Sequence, residues 1–151
     1  MVTLGRMCLS QGWANEAMTN FTDALRLDAT DATAHFCLGG VLSSLSRLPE
    51  AQQHFAEAVR LNPDYAEARL GLGIELGRQG RHDEALKQFA EVVRLKPALT
   101  EGQLNLGIAL LNRRRPEEAL QQFEEALRLD PRNPVASKYI QNIQAQRAKE
   151  L

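Results

Sequence analysis

Apolar positions recur along this chain three and four residues apart, in blocks short enough to be single helices. Leu38 and Leu42 share one helical face, as do Ala51, Phe55 and Ala58, while charged residues fill the positions between. Aligned with itself, the chain repeats every 34 residues. Ala17, Ala51, Ala85 and Ala119 fall at that interval, as do Phe21, Phe55, Phe89 and Phe123, and likewise Leu27, Leu61, Leu95 and Leu129. Leu4-Gly5, Leu38-Gly39, Leu72-Gly73 and Leu106-Gly107 keep the same register. Gly12, Gly80 and the Arg114-Arg115-Pro116 step interrupt the middle of their units, and Pro63, Pro97 and Pro131 close them. The pattern predicts one helix pair per unit, with small Ala and Gly residues letting two backbones approach around each Phe.

The charged positions repeat as well. Glu16, Glu50, Glu84 and Glu118 open the second helix of each unit, where a carboxylate favours the positive end of the helix dipole. Near its end stand Asp23/Arg26, Glu57/Arg60, Glu91/Arg94 and Glu125/Arg128, acid-base pairs three apart that belong on a solvated outer face.

These residues resemble the tetratricopeptide repeat (TPR) family. Its pattern of Leu-Gly in the first helix, then Ala, Phe, Ala and Pro, is met at Leu38, Gly39, Ala51, Phe55, Ala58 and Pro63, and again at Leu106, Gly107, Ala119, Phe123, Ala126 and Pro131. The third unit keeps it with Val92 as the last small residue. The family's frequent Trp is replaced by His35, Arg69 and Gln103, its first-helix Tyr by Cys8, Leu42, Leu76 and Leu110, and Ala29 stands where Pro is expected. The resemblance implies an all-α, right-handed helical solenoid of antiparallel helix pairs with a capping helix at its C-terminal end. Residues 1–31 read as a repeat shortened at its start, 32–65, 66–99 and 100–133 as complete repeats, and 134–151 as the cap. In the cap, Pro134 suits a helix start, and Val135, Ala136, Tyr139, Ile140 and Ile143 form one apolar stripe. The shortened first unit predicts a segment taken from a longer protein, because an uncapped solenoid end exposes apolar surface; the same face is a candidate for self-association.

TPR arrays present their first helices along a concave face, and the resemblance implies that this face binds protein segments. In the second unit the stripe Phe36, Gly40 and Ser43 lies about 115° around the helix from the core stripe. Its counterparts are Val2, Arg6 and Leu9, then Leu70, Ile74 and Gly77, then Leu104, Ile108 and Leu111. Ser44, Arg78, Asn105 and Asn112 punctuate it with polar groups, and Gly40 and Gly77 leave room for a bulky side chain. The expected binding residues are therefore Arg6, Phe36, Gly40, Ser43, Ser44, Leu70, Ile74, Arg78, Leu104, Asn105, Ile108 and Asn112. Such a groove suits an amphipathic helix or an extended segment with apolar anchors. TPR proteins that grip a chaperone's C-terminal carboxylate use Lys, Arg and Asn here; this chain has Phe36, Cys37, Gly40, Leu70, Gly71 and Ile74. The asparagine ladder of O-GlcNAc transferase is matched only by Asn105, with Thr3, Cys37 and Gly71 in the equivalent places. Glu67 and Glu101 at the rim favour a basic partner.

Composition narrows the function classes. The 151 residues carry Lys+Arg 18 against Asp+Glu 19, a net charge of -1, which gives no electrostatic footprint for nucleic acid. No stretch approaches the ~20 apolar residues that span a bilayer, so the chain as it stands reads as cytoplasmic. Cys8 and Cys37 form no zinc or redox motif and read as packed thiols. His35, His54 and His82 stand in three different parts of the repeat with no metal spacing. The Gly-rich run Gly71 to Gly77 lies within a repeat helix and lacks the phosphate-loop Lys and Ser/Thr. Arg113-Arg114-Arg115 offsets the negative end of a helix dipole or docks an acidic partner. Asn20-Phe21-Thr22 matches a glycosylation triplet, but its Phe is a repeat core residue.

No metal, cofactor or catalytic constellation is expected. The reading that follows is a non-enzymatic scaffold or adaptor that binds a peptide or helix of a partner. The alternative is a substrate-recruiting or spacer segment of a larger enzyme, such as a glycosyltransferase, whose catalytic part lies elsewhere.

Overall fold

A computed structural model describes residues 11–149 of the chain. All regular structure among them is helical: α1 (Gln11–Leu27), α2 (Ala32–Ser44), α3 (Leu48–Leu61), α4 (Ala66–Arg78), α5 (His82–Leu95), α6 (Thr100–Asn112), α7 (Pro116–Leu129) and α8 (Pro134–Lys149). Short connections fold each helix back on the one before, and the tightest packing is within the pairs α2/α3, α4/α5 and α6/α7. Each pair then packs on the next through α3/α4 and α5/α6, while α8 closes the series against α7, giving a helical solenoid.

Local chemistry sets the helix ends. Asp31 Oδ1 accepts the N–H groups of Thr33 at 2.8 Å and Ala34 at 3.0 Å, capping α2, and Asn133 Oδ1 does the same for Val135 and Ala136 at the start of α8. Between the helices of a pair the chain turns through a left-handed residue: Ser46 (φ 59°), Gly80 (φ 76°) and Arg114 (φ 55°). The next N–H, of Arg47, Arg81 or Arg115, reaches back to the carbonyl of Leu42, Leu76 or Leu110 at 2.9, 2.9 and 3.0 Å, satisfying a carbonyl the helix end leaves orphaned. Gly12 was expected to break the first unit in the same way, but it lies inside α1. That break rested on a single Gly, which a helix interior tolerates at a cost of about 1 kcal/mol.

The core is a file of aromatic rings wedged against glycines. A Cβ on Gly39 would lie 2.9 Å from the Phe55 ring and one on Gly71 2.7 Å from it, so the first helices of two successive units both close on that ring. Phe89 and Phe123 are buried against Gly73 and Gly107 in the same manner. The polar residues that replace the family's Trp share one task. His35 Nε2 lies 3.3 Å from the Ala29 carbonyl, Arg69 Nε donates to Pro63 at 2.7 Å, and Gln103 Nε2 donates to Pro97 at 3.0 Å, so each ties its helix to the preceding loop.

The two ends of the array differ from the interior. In α8, Ala136 and Ile143 are buried and Tyr139 stacks on Phe123, with ring centroids 4.8 Å apart and planes within 3°. Val135, expected in that stripe, is exposed instead, because it sits in the first turn beyond the edge of α7. Leu27 departs from its register as well: it is 91% exposed, while Leu61, Leu95 and Leu129 are half-buried.

Candidate functional site

Because α2 touches α4 and α4 touches α6, the first helices of three units form one continuous face. The expected binding residues divide upon it. Arg6 lies outside the described residues, as does Cys8. Phe36 is half-buried, its ring 5.9 Å from Phe55 and 5.0 Å from Tyr65, so it braces the face more than it opens onto it. Leu70 is a correction: at 7% exposure it belongs to the hydrophobic core. Gly71 draws α4 down onto Phe55 and carries its neighbour Leu70 inward with it. Leu104 is half-buried against the same core, and Ser44 returns its hydroxyl to the Val41 carbonyl at 2.6 Å.

Ile74, Asn105, Ile108 and Asn112 come together. With Gly77 they line a shallow concavity of about 180 Å³ between α4 and α6, backed by the buried Ala85 and Phe89. Nothing lies within 4 Å of where a Gly77 Cβ would stand, and the same holds at Gly40, so both glycines leave open space. Asn105 donates through Nδ2 to the Glu101 carbonyl at 2.8 Å, which fixes its orientation at the rim. The surface is apolar with two amide groups and the His82 imidazole among its lining, the usual make-up of a site that takes an apolar side chain and holds the backbone attached to it.

Ser43 and Arg78 also meet, through a residue the sequence pattern did not single out. Glu75 is 1% exposed, and its Oε1 accepts from Ser43 Oγ at 2.5 Å and from Arg78 Nη1 at 3.2 Å. Its Oε2 is buried and has no hydrogen-bond partner. One signal was available in the chain: in the 34-residue register Glu75 aligns with Val41 and Ala109, both buried and apolar.

The remaining charged and titratable groups are mostly engaged with one another. Besides the pairs expected near the ends of the second helices, Arg47/Glu50, Arg81/Glu84 and Arg115/Glu118 close ion pairs at the helix starts, at 2.6, 2.7 and 2.6 Å. Hydrogen bonding from Arg47 and Arg115 holds the carboxyls of Glu50 and Glu118 below the usual range. In the basic run, Arg115 is thus paired with Glu118 and Arg113 with Asp83 at 2.9 Å. His35 and His54, distant in sequence, are brought together with Nδ1 atoms 3.0 Å apart, a departure from the scattered placement expected. Among the described residues no group of three or more His, Cys, Asp or Glu could hold a metal ion, and no helix is long and apolar enough to cross a membrane.

The helix pairs, the period and the file of Phe and Gly define a helical-repeat protein of the interaction-module class. Two family profiles, both described as tetratricopeptide repeat, match residues 30–98 and 70–134, and the chain belongs to the TPR family. No curated protein matches it. Among solved structures it is similar to a crystal structure of MamA, with 26% identity over 85% of this chain and 75% of that one and a TM-score of 0.75. It is similar to PilF of Pseudomonas aeruginosa, with 25% identity, coverage of 98% and 68%, and a TM-score of 0.86. The fold is also that of the first TPR of Spaghetti (RPAP3) bound to HSP90 peptide SRMEEVD, at 20% identity, coverage of 80% and 96%, and a TM-score of 0.76.

Proposed function

We propose that the chain is a non-catalytic binding module that holds a segment of a partner protein along the face formed by α2, α4 and α6. The observation that carries this reading is the concavity at Ile74, Gly77 and Ile108, apolar within and edged by the amides of Asn105 and Asn112. A structural relative holds a peptide, which supports a peptide as the type of ligand. An acidic peptide such as the SRMEEVD bound by that relative is not the expected ligand, because Phe36, Gly40 and Ile74 stand where a carboxylate would need cations.

Binding of a partner captured from the native lysate is expected to fall at least tenfold in Ile108→Glu, which places a charge in the concavity, with the helical circular-dichroism signal retained. Equal capture by wild type and Ile108→Glu would remove this face from the function.

A further inference from the structure

Among the described residues, five arginines grip an acid three residues away through two hydrogen bonds each: Arg47 on Glu50, Arg60 on Glu57, Arg81 on Glu84, Arg115 on Glu118 and Arg128 on Glu125. All five acids are partly or largely exposed. Glu75 reverses both features. It is the buried acid, yet Arg78 meets it through Nη1 alone, at 3.2 Å, on the oxygen that Ser43 already occupies, and Oε2 is left without a donor. Burial increases both what a carboxylate gains from a complete cationic partner and what it loses from an incomplete one. The fold does not require an acid here, since Val41 and Ala109 fill the same register with apolar side chains. Arg78 Nη1 also donates to Ser43 Oγ at 3.2 Å, and about half of the Arg78 side chain is exposed.

We propose that Ser43 and Glu75 form a subsite for a lysine or arginine side chain of an extended bound segment, with Arg78 as the chain's own displaceable occupant. The proposal rests on the groove reading above. An incoming cation takes the place of Arg78 against the Glu75 carboxylate, and the arginine turns out to solvent. Of the two rim acids, Glu67 is taken up by an ion pair with Lys96, whereas Glu101 is exposed near the start of α6 and forms no ion pair among the described residues. The subsite lies at the α2/α4 junction and the apolar concavity at the α4/α6 junction, one helix spacing apart, or about 8–10 Å. An extended segment in the polyproline II form advances about 3.1 Å per residue and returns the same face every third residue, so the cation and an aliphatic anchor fall three residues apart in the ligand.

The test pans the full chain against a phage library of random dodecapeptides. Enriched peptides are expected to carry Lys or Arg three residues from Leu, Ile, Val or Met. A synthetic peptide of that sequence and its Lys→norleucine counterpart are then titrated by fluorescence anisotropy. Norleucine is expected to weaken binding to the wild type at least tenfold, and Glu75→Gln to abolish the difference. Arg78→Ala is expected to tighten the lysine peptide severalfold, because the competitor is gone; a residue that reads an anion would give the opposite sign. Glu75→Val, copying Val41, provides a second removal of the acid should Glu75→Gln lose its helical signal. Enrichment of acidic residues, a lysine preference that survives loss of Glu75, or weaker binding in Arg78→Ala would each overturn the subsite. Failure of the groove reading looks different: no peptide is enriched, or Gly77→Ile, which fills the concavity, binds as the wild type does.

Discussion

At the junction of α2 with α4, Ser43, Glu75 and Arg78 meet through hydrogen bonds, whereas one repeat further on, where α4 meets α6, the residues in the same register are Gly77, Ala109 and Asn112. The helices are placed alike at both junctions because the residues that place them are alike: Leu-Gly before, Ala and Phe after. What differs is the filling. The first junction buries a carboxyl group with one oxygen hydrogen-bonded and the other left without a donor, and the second leaves an apolar hollow where side chains are missing. The framework residues of a repeat set the spacing between units, and the residues left over decide what each junction can hold.

Moving the chemistry of one junction to the other gives the largest expected effect. Ala109→Glu would place a carboxylate where Ala109 is buried, beside Gly77 and Asn112, with neither the Ser43 hydroxyl nor the Arg78 guanidinium to meet it. A loss of about 3–5 kcal/mol in urea unfolding is expected, the range for a buried charge without a partner. A loss below about 1 kcal/mol would mean that the second junction admits water freely, and the contrast with Glu75 would disappear.

Much of this was legible in the chain. The Ala, Phe and Gly positions fixed the helix pairs because close packing around a ring tolerates few alternatives, and the open space at Gly77 was expected from the same register. Glu75 was missed because a glutamate on an amphipathic helix ordinarily faces solvent. Its burial depends on the Ser43 and Arg78 side chains and on how closely α2 and α4 approach, which the pattern of a single helix does not contain. His35 and His54 escaped for a similar reason: they belong to different helices and meet only when α3 folds back on α2. Leu70 was assigned to the open face from its angle about the helix, and the depth at which Gly71 seats α4 moved it into the core.

Glycines sharpen the comparison at a smaller scale. Gly71→Ala would push a Cβ to 2.7 Å from Phe55 and is expected to cost about 1–3 kcal/mol through overpacking. Gly77→Ala meets nothing and is expected to raise stability by up to about 1 kcal/mol through helix propensity alone. Equal effects in thermal unfolding would show that the two sides of α4 are packed alike. The left-handed turns follow with a smaller gain. Arg114→Gly relieves a side chain held at φ 55°, in the register where Gly80 already sits, and is expected to add about 0.5–1 kcal/mol.

The smallest effect separates the two halves of the array by pH. At the α2/α3 pair, His35 Nε2 faces the Ala29 carbonyl, which can only accept, so this nitrogen carries a proton and leaves His35 Nδ1 to accept from His54 Nδ1–H. Burial first, and the neighbouring imidazole second, hold the His54 pKa below its usual value of 6.5, against a weaker upward pull from Glu50. The unfolded chain therefore binds the His54 proton before the folded chain does. Stability is fully present above 6.5, declines as the pH falls below it, and levels off once the pH is under the depressed folded value. The equivalent contact in the next unit joins Arg69 to Gln88 at 2.9 Å and contains no imidazole. Amide exchange at pH 5.5 is thus expected to accelerate in α2 and α3 relative to α4 and α5, and His54→Gln to remove the difference. Uniform acceleration along the array would show that the units melt together and that the titration of one helix pair is shared by all.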